Sequence, residues 1–153
     1  MAEFVHRDVG TEDELYHYLG KWAQRGYGSY EVLYFAFHGV RGGIRVGRGT
    51  VPLADLAEKL QGKAAGRLVY FGCCSVMRDR RAVAEFQQQT GARAICGYTK
   101  DVDWIESAAF DLLLLSSLVS GRRIDARINH VRTRYPDLAS TLGFESYPTY
   151  ERA

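Results

Sequence analysis

The sequence predicts an α/β domain with a central, mostly parallel sheet flanked by helices, and three observations carry that prediction. First, short apolar runs recur as "EVLYFAF" (Glu31–Phe37), "RLVYFG" (Arg67–Gly72) and "ARAIC" (Ala92–Cys96), the pattern of strands covered on both faces. Second, the segments between these runs carry helical periodicity, so strand and helix alternate, as right-handed crossovers in a parallel sheet require. Third, 153 residues that are 46% hydrophobic and 25% charged suit one domain with one core, residues 1–153.

Element by element, Phe4–Asp8 alternates apolar and charged residues and is expected to form a short strand. Thr11 and Glu14 form a capping box that opens a helix through about Arg25, with Leu15, Tyr18, Leu19 and Trp22 on its apolar face. The strand Glu31–Phe37 ends at His38-Gly39, and the glycine-rich "HGVRGGIRVGRG" that begins there suits a small hairpin. Pro52 sits at a helix first turn, and "LADLAEKL" places apolar residues at 53, 56, 57 and 60. After the strand at 67–72 come a helix at 80–90, the strand at 92–96 and a long helix at 102–120. A last helix around Ile124–Arg134 and a short strand near Phe144–Tyr147 complete the order, and the three prolines read as punctuation.

Composition narrows the function classes. Twenty basic and eighteen acidic side chains give a net charge of +2, and no run of like charge is long enough to track a phosphate backbone or a membrane surface. Neither nucleic acid nor membrane is an expected partner. The longest apolar run, Leu112–Leu115, falls far short of the roughly 20 residues a bilayer demands. The first ten residues lack the features of a secretory signal, so a cytoplasmic location and reduced thiols are expected. Cys73, Cys74 and Cys96 are odd in number, the adjacent pair would need a strained ring to bridge, and their spacing with His6, His17, His38 and His130 fits no zinc motif. No metal or organic cofactor is expected. Cys73 and Cys96 read as core, as do the aromatics Tyr16, Tyr18, Trp22, Tyr34, Phe35, Phe37, Tyr70 and Phe71, while His6, His17 and His130 read as structural.

In an open α/β sheet the ligand crevice lies at the carboxyl ends of the strands. "VLYFAF" delivers His38 there and "LVYFGC" delivers Cys74, so neighbouring strands would bring an imidazole and a thiol together. A thiol is only a few per cent ionised at neutral pH, and an adjacent imidazole supplies the base and later returns the proton. Backbone N–H groups of Gly39 and Cys74 are the expected donors to a developing oxyanion. These parts suit acyl transfer.

"LYFAFHG" resembles the strand plus His-Gly signature of the caspase-like cysteine peptidases, and "LVYFGCCSV" resembles the strand plus Ala-Cys signature of their CHAT branch. On that pattern Cys73 takes the small buried place and Cys74 the nucleophile's. A third block, Gly91–Gly121, is similar to the CHAT segment in which a strand and Gly lead to an acidic loop and a long helix closed by Gly. The resemblance implies a caspase-like three-layer sandwich and a cysteine endopeptidase that cuts a protein or peptide substrate through a His38–Cys74 dyad. It also implies regulation by a sensor or partner protein in a bacterial defence or cell-death pathway. The chain departs from the family in starting almost directly at Phe4, without the usual first strand and helix; either that strand is dispensable or a partner or a second copy supplies it. Tyr98 and Lys100 also stand where many CHAT members carry Trp.

Asp101 and Asp103, in the loop after the third strand, are expected either to wall the pocket for the residue before the scissile bond, selecting Lys or Arg there, or to form a solvated turn and a helix cap. Arg78, Arg80 and Arg81 are read as a solvated helix start or as ligands for an acidic substrate residue. Two other classes compete with the peptidase: a non-catalytic caspase-like interaction module, and a flavodoxin-like binding domain using the glycines at 39, 42, 43, 47 and 49, which match no phosphate motif.

Overall fold

The computed structural model describes residues 3–120 and 123–148. Four strands form the main sheet: β1 (Val32–Phe35), β5 (Leu68–Phe71), β6 (Ala94–Tyr98) and β7 (Phe144–Tyr147), in that spatial order. β1, β5 and β6 run parallel, and β7 closes the edge antiparallel to β6. A second sheet, antiparallel, contains β2 (His38–Val40), β3 (Gly43–Val46) and β4 (Gly49–Pro52).

Helices cover both faces of the main sheet. All four β5 residues are buried, and they alternate: Val69 and Phe71 enter one core with residues of α1 (Glu12–Trp22), α2 (Leu53–Lys59) and α3 (Arg80–Thr90), whereas Leu68 and Tyr70 enter a second. That second core is built with α4 (Trp104–Leu118), α5 (Ile124–Arg134) and α6 (Pro136–Leu142). Period-2 alternation in a strand covered on both sides is why the run reads as continuously apolar. The result is the predicted α/β sandwich of three layers with a mostly parallel sheet. Among the described residues no helix is long and apolar enough to cross a membrane.

Several local expectations are corrected. Phe4–Asp8 is not a strand: it pairs with no other segment among the described residues, and Phe4 and Val5 remain exposed, because alternation without a sheet edge to join has nothing to bury its apolar side. The capping box at Thr11 and Glu14 is present, but α1 ends at Trp22 and a 3-10 turn follows at Arg25–Tyr27. β1 stops at Phe35, because His38–Val40 pairs with β3 instead. The expected hairpin is therefore a three-stranded sheet that captures His38 and Gly39 as its first strand. β6 lies two residues later than expected, held to Tyr98 by pairing with Phe144 of β7. Pro136 does more than punctuate; it opens α6, as a proline does at a helix first turn. Gly121, the residue expected to close the long helix, lies outside the described residues.

Candidate functional site

β1 and β5 are neighbours in register, Phe35 beside Phe71, so the chain leaving each emerges at the same sheet edge. From β1 it turns through Ala36 and Phe37 into β2; from β5 it passes through Gly72 to the two cysteines. The two segments then touch. A Cβ on Gly39 would stand 2.0 Å from the Cys74 carbonyl oxygen and 2.8 Å from both Cys73 Cβ and the Cys74 nitrogen. Glycine is needed at 39 because the hairpin backbone lies directly on the cysteine backbone.

That contact sets His38 and Cys74 on one open pocket of about 600 Å³, lined by His38, Gly39, Val40, Arg41, Arg45, Cys74, Ser75, Arg78 and Asp101. The two cysteines diverge. Cys73 is 1% exposed, packs in the α1–α3 core and donates its thiol to the Phe35 carbonyl at 3.2 Å; burial pushes that thiol up to about 12. Cys74 is half-buried, and its Sγ accepts the Val102 N–H at 3.5 Å. Cys96 is buried in the opposite core, where burial again raises its thiol well above the ordinary value.

Ser75, which sequence reasoning passed over as the small residue after the nucleophile, organises the loop. Its backbone is left-handed at φ 57°, uncommon for a residue with a side chain. It is over-determined there: Ser75 N–H donates to the Lys100 carbonyl at 2.9 Å and Ser75 Oγ to Asp101 at 2.7 Å. With the Val102 contact, three consecutive residues after β6 hold Cys74 and Ser75.

The acidic pair separates. Asp101 lines the pocket, although one of its oxygens is taken by Ser75. Asp103 is not on the pocket; it caps α4, accepting the N–H groups of Ile105 at 2.9 Å and Glu106 at 3.0 Å. The pocket is not an acidic wall, since three arginines line it against one aspartate. Of Arg78, Arg80 and Arg81 only Arg78 reaches it; Arg80 pairs with Glu145 and Arg81 with Glu85.

Residues 3–148 match the family of unknown function DUF6642. The chain belongs to that family. Its span contains every residue of the pocket, so the site lies within the DUF6642 domain. No curated protein matches the chain.

On the opposite face of the sheet lies a polar cluster, of which sequence reasoning read Tyr34 and Tyr70 as core. Asp111, 7% exposed on α4, accepts the hydroxyls of Tyr34 (2.6 Å), Tyr98 (2.5 Å) and Tyr70. Burial first, and then the carboxylate, raises the Tyr34 and Tyr98 hydroxyls well above their ordinary value. The signal was in the register: Tyr34 stands beside Tyr70, and Cys96, two residues before Tyr98 on the same face, stands beside Tyr70 too. Three tyrosines on one sheet face predict a shared polar partner opposite. The Tyr34 ring also fills the place of a Gly72 side chain, whose Cβ would meet it at 2.5 Å.

Proposed function

We propose that the chain is a cysteine endopeptidase with a His38–Cys74 dyad. The observation that supports this best is the Gly39 contact, which sets an exposed imidazole and a half-buried thiol on one open pocket beside the cysteine backbone. In the reaction His38 takes the Cys74 proton, sulfur bonds to the scissile carbonyl carbon, and the oxyanion is held by the N–H groups of Gly39 and Cys74. The C–N bond then breaks as His38 returns the proton to the leaving amine. Water, deprotonated by His38, hydrolyses the thioester and restores the thiol. Cys73, whose thiol is pushed up to about 12, is no competitor for the nucleophile's role near neutral pH.

The Val102 contact supports a regulated enzyme. No hydrogen bond joins His38 to Cys74, and the thiol rests on the Val102 backbone instead. An activating partner that shifts the Lys100–Val102 segment would free it for His38. The same contact favours a second reading, a non-catalytic interaction module in which the thiol never engages the imidazole.

The test is proteolysis of a peptide library, with new termini identified by mass spectrometry. Wild type and Cys73→Ala are expected to cut; Cys74→Ala and His38→Ala are not. Cleavage that survives Cys74→Ala but not Cys73→Ala overturns the assignment.

A further inference from the structure

The pocket's charge carries an inference about what it receives. Arg41 sits in the turn between β2 and β3, Arg45 lies on β3, and Arg78 ends the 3-10 turn Val76–Arg78 that follows the cysteine loop. The hairpin and the 3-10 turn thus place three arginines on the lining of one cavity. Their counter-charges are few: Arg41 approaches Asp79 at 3.8 Å, Asp79 is itself engaged by the Ala82 N–H, and Asp101 is engaged by Ser75. Arg45 and Arg78 form no ion pair among the described residues. Cations gathered on a cavity without internal partners repel one another, and an anionic ligand relieves that repulsion while gaining charge-assisted hydrogen bonds.

The register says where along a substrate the anion lies. His38 and Arg45 are direct cross-strand partners, so their side chains stand on one face of the hairpin as neighbours. If His38 delivers the proton to the leaving amine, it stands on the leaving side of the scissile bond. Arg45 beside it then meets the segment that departs with that amine. We propose, resting on the peptidase reading, that Arg41, Arg45 and Arg78 bind the carboxylate of an acidic side chain in the leaving segment, so that the enzyme cuts just before Asp or Glu. The Lys or Arg preference that Asp101 and Asp103 suggested from the sequence concerns the other side of the cut, the residue before the scissile bond.

Two experiments separate this inference from the peptidase reading. In the first, Cys74→Ala protein, which cannot turn over, is mixed with two peptide pools identical but for Glu or Gln at one fixed position, and retained peptides are quantified by mass spectrometry. The Glu pool is expected to be retained about tenfold better, a preference that added salt weakens and that Arg45→Gln with Arg78→Gln removes. Equal retention of the two pools overturns the inference whether or not the wild type cleaves anything. In the second, cut sites of the wild type are mapped. Asp and Glu enriched after the cut support the proposal; Asp and Glu enriched before the cut instead, or Lys and Arg enriched after it, overturn it. Both arginines are exposed, so the double variant is expected to keep the wild-type circular dichroism, and the Glu-against-Gln comparison needs no arginine variant at all.

Discussion

The two sides of the main sheet handle polar groups in opposite ways at the same edge. On the α4 side, buried Asp111 and the hydroxyls of buried Tyr70 and Tyr98 and half-buried Tyr34 satisfy one another. On the hairpin side, His38 and the guanidinium groups of Arg41, Arg45 and Arg78 are exposed around a pocket. A polar cluster that completes its own hydrogen bonds needs no ligand and serves stability. A cluster whose donors face water stays free to exchange that water for a ligand. The two cysteines show the contrast one residue apart, Cys73 donating into the core and Cys74 turned to the pocket.

The contrast breaks most sharply at the two aspartates. Asp111→Ala strips the carboxylate from three tyrosine hydroxyls and is expected to cost about 3 kcal/mol in denaturant unfolding, because hydrogen bonds to a charged group are lost and Tyr70 and Tyr98 keep only each other and the Ser107 carbonyl. Asp101→Ala removes one hydrogen bond at an exposed carboxylate and is expected to cost about 1 kcal/mol or less. Equal costs would mean that the two faces do not differ in kind.

Gly39→Ala sharpens the geometry of the pocket. A methyl placed 2.0 Å from the Cys74 carbonyl oxygen must push hairpin and cysteine loop apart. The expected loss is about 2 kcal/mol of stability and, if the chain is the peptidase proposed above, cleavage falls further than stability accounts for, since the displaced backbone carries both His38 and Cys74. Thermal unfolding and cleavage assayed together check this; an alanine that leaves both unchanged would show that the two backbones do not touch.

How far the sequence revealed these features follows from the range of the forces involved. α3, α5 and β7 were legible to the residue, because periodicity, a capping aspartate and flanking turns are local. That His38 and Cys74 line one pocket was legible as a consequence of two strand ends, once β1 and β5 proved to be neighbours. What was not legible depends on pairing between distant segments. His38 and Gly39 look like the end of a strand, but Ile44 and Arg45 recruit them into a second sheet. The sign of the pocket failed for the same reason: Asp101 and Asp103 are close in sequence to the site, whereas Arg41 and Arg45 reach it only through that hairpin. Asp111 hid in a helix whose apolar residues dominate its surface, and nothing local announced three hydroxyls waiting across the sheet.

The smallest expected effect tests the burial of Cys73 directly. Its folded thiol is raised from the ordinary 9.0 to about 12, so its contribution to stability is fully present below pH 9 and is lost as pH rises from there toward 12. The unfolded chain releases the proton first, so rising pH favours unfolding. Cys96, raised by the same burial, acts in the same direction. Between about pH 8 and pH 9.5 the Cys73 thiol is expected to remove roughly 1 kcal/mol of stability, and the raised tyrosine hydroxyls begin to act in the same direction near the top of that window. Urea midpoints across that window should therefore fall for the wild type and fall less far for Cys73→Ala. An unchanged slope in Cys73→Ala would mean that the Cys73 thiol ionises freely in the folded chain, and it would return Cys73 to contention with Cys74 as the reactive thiol.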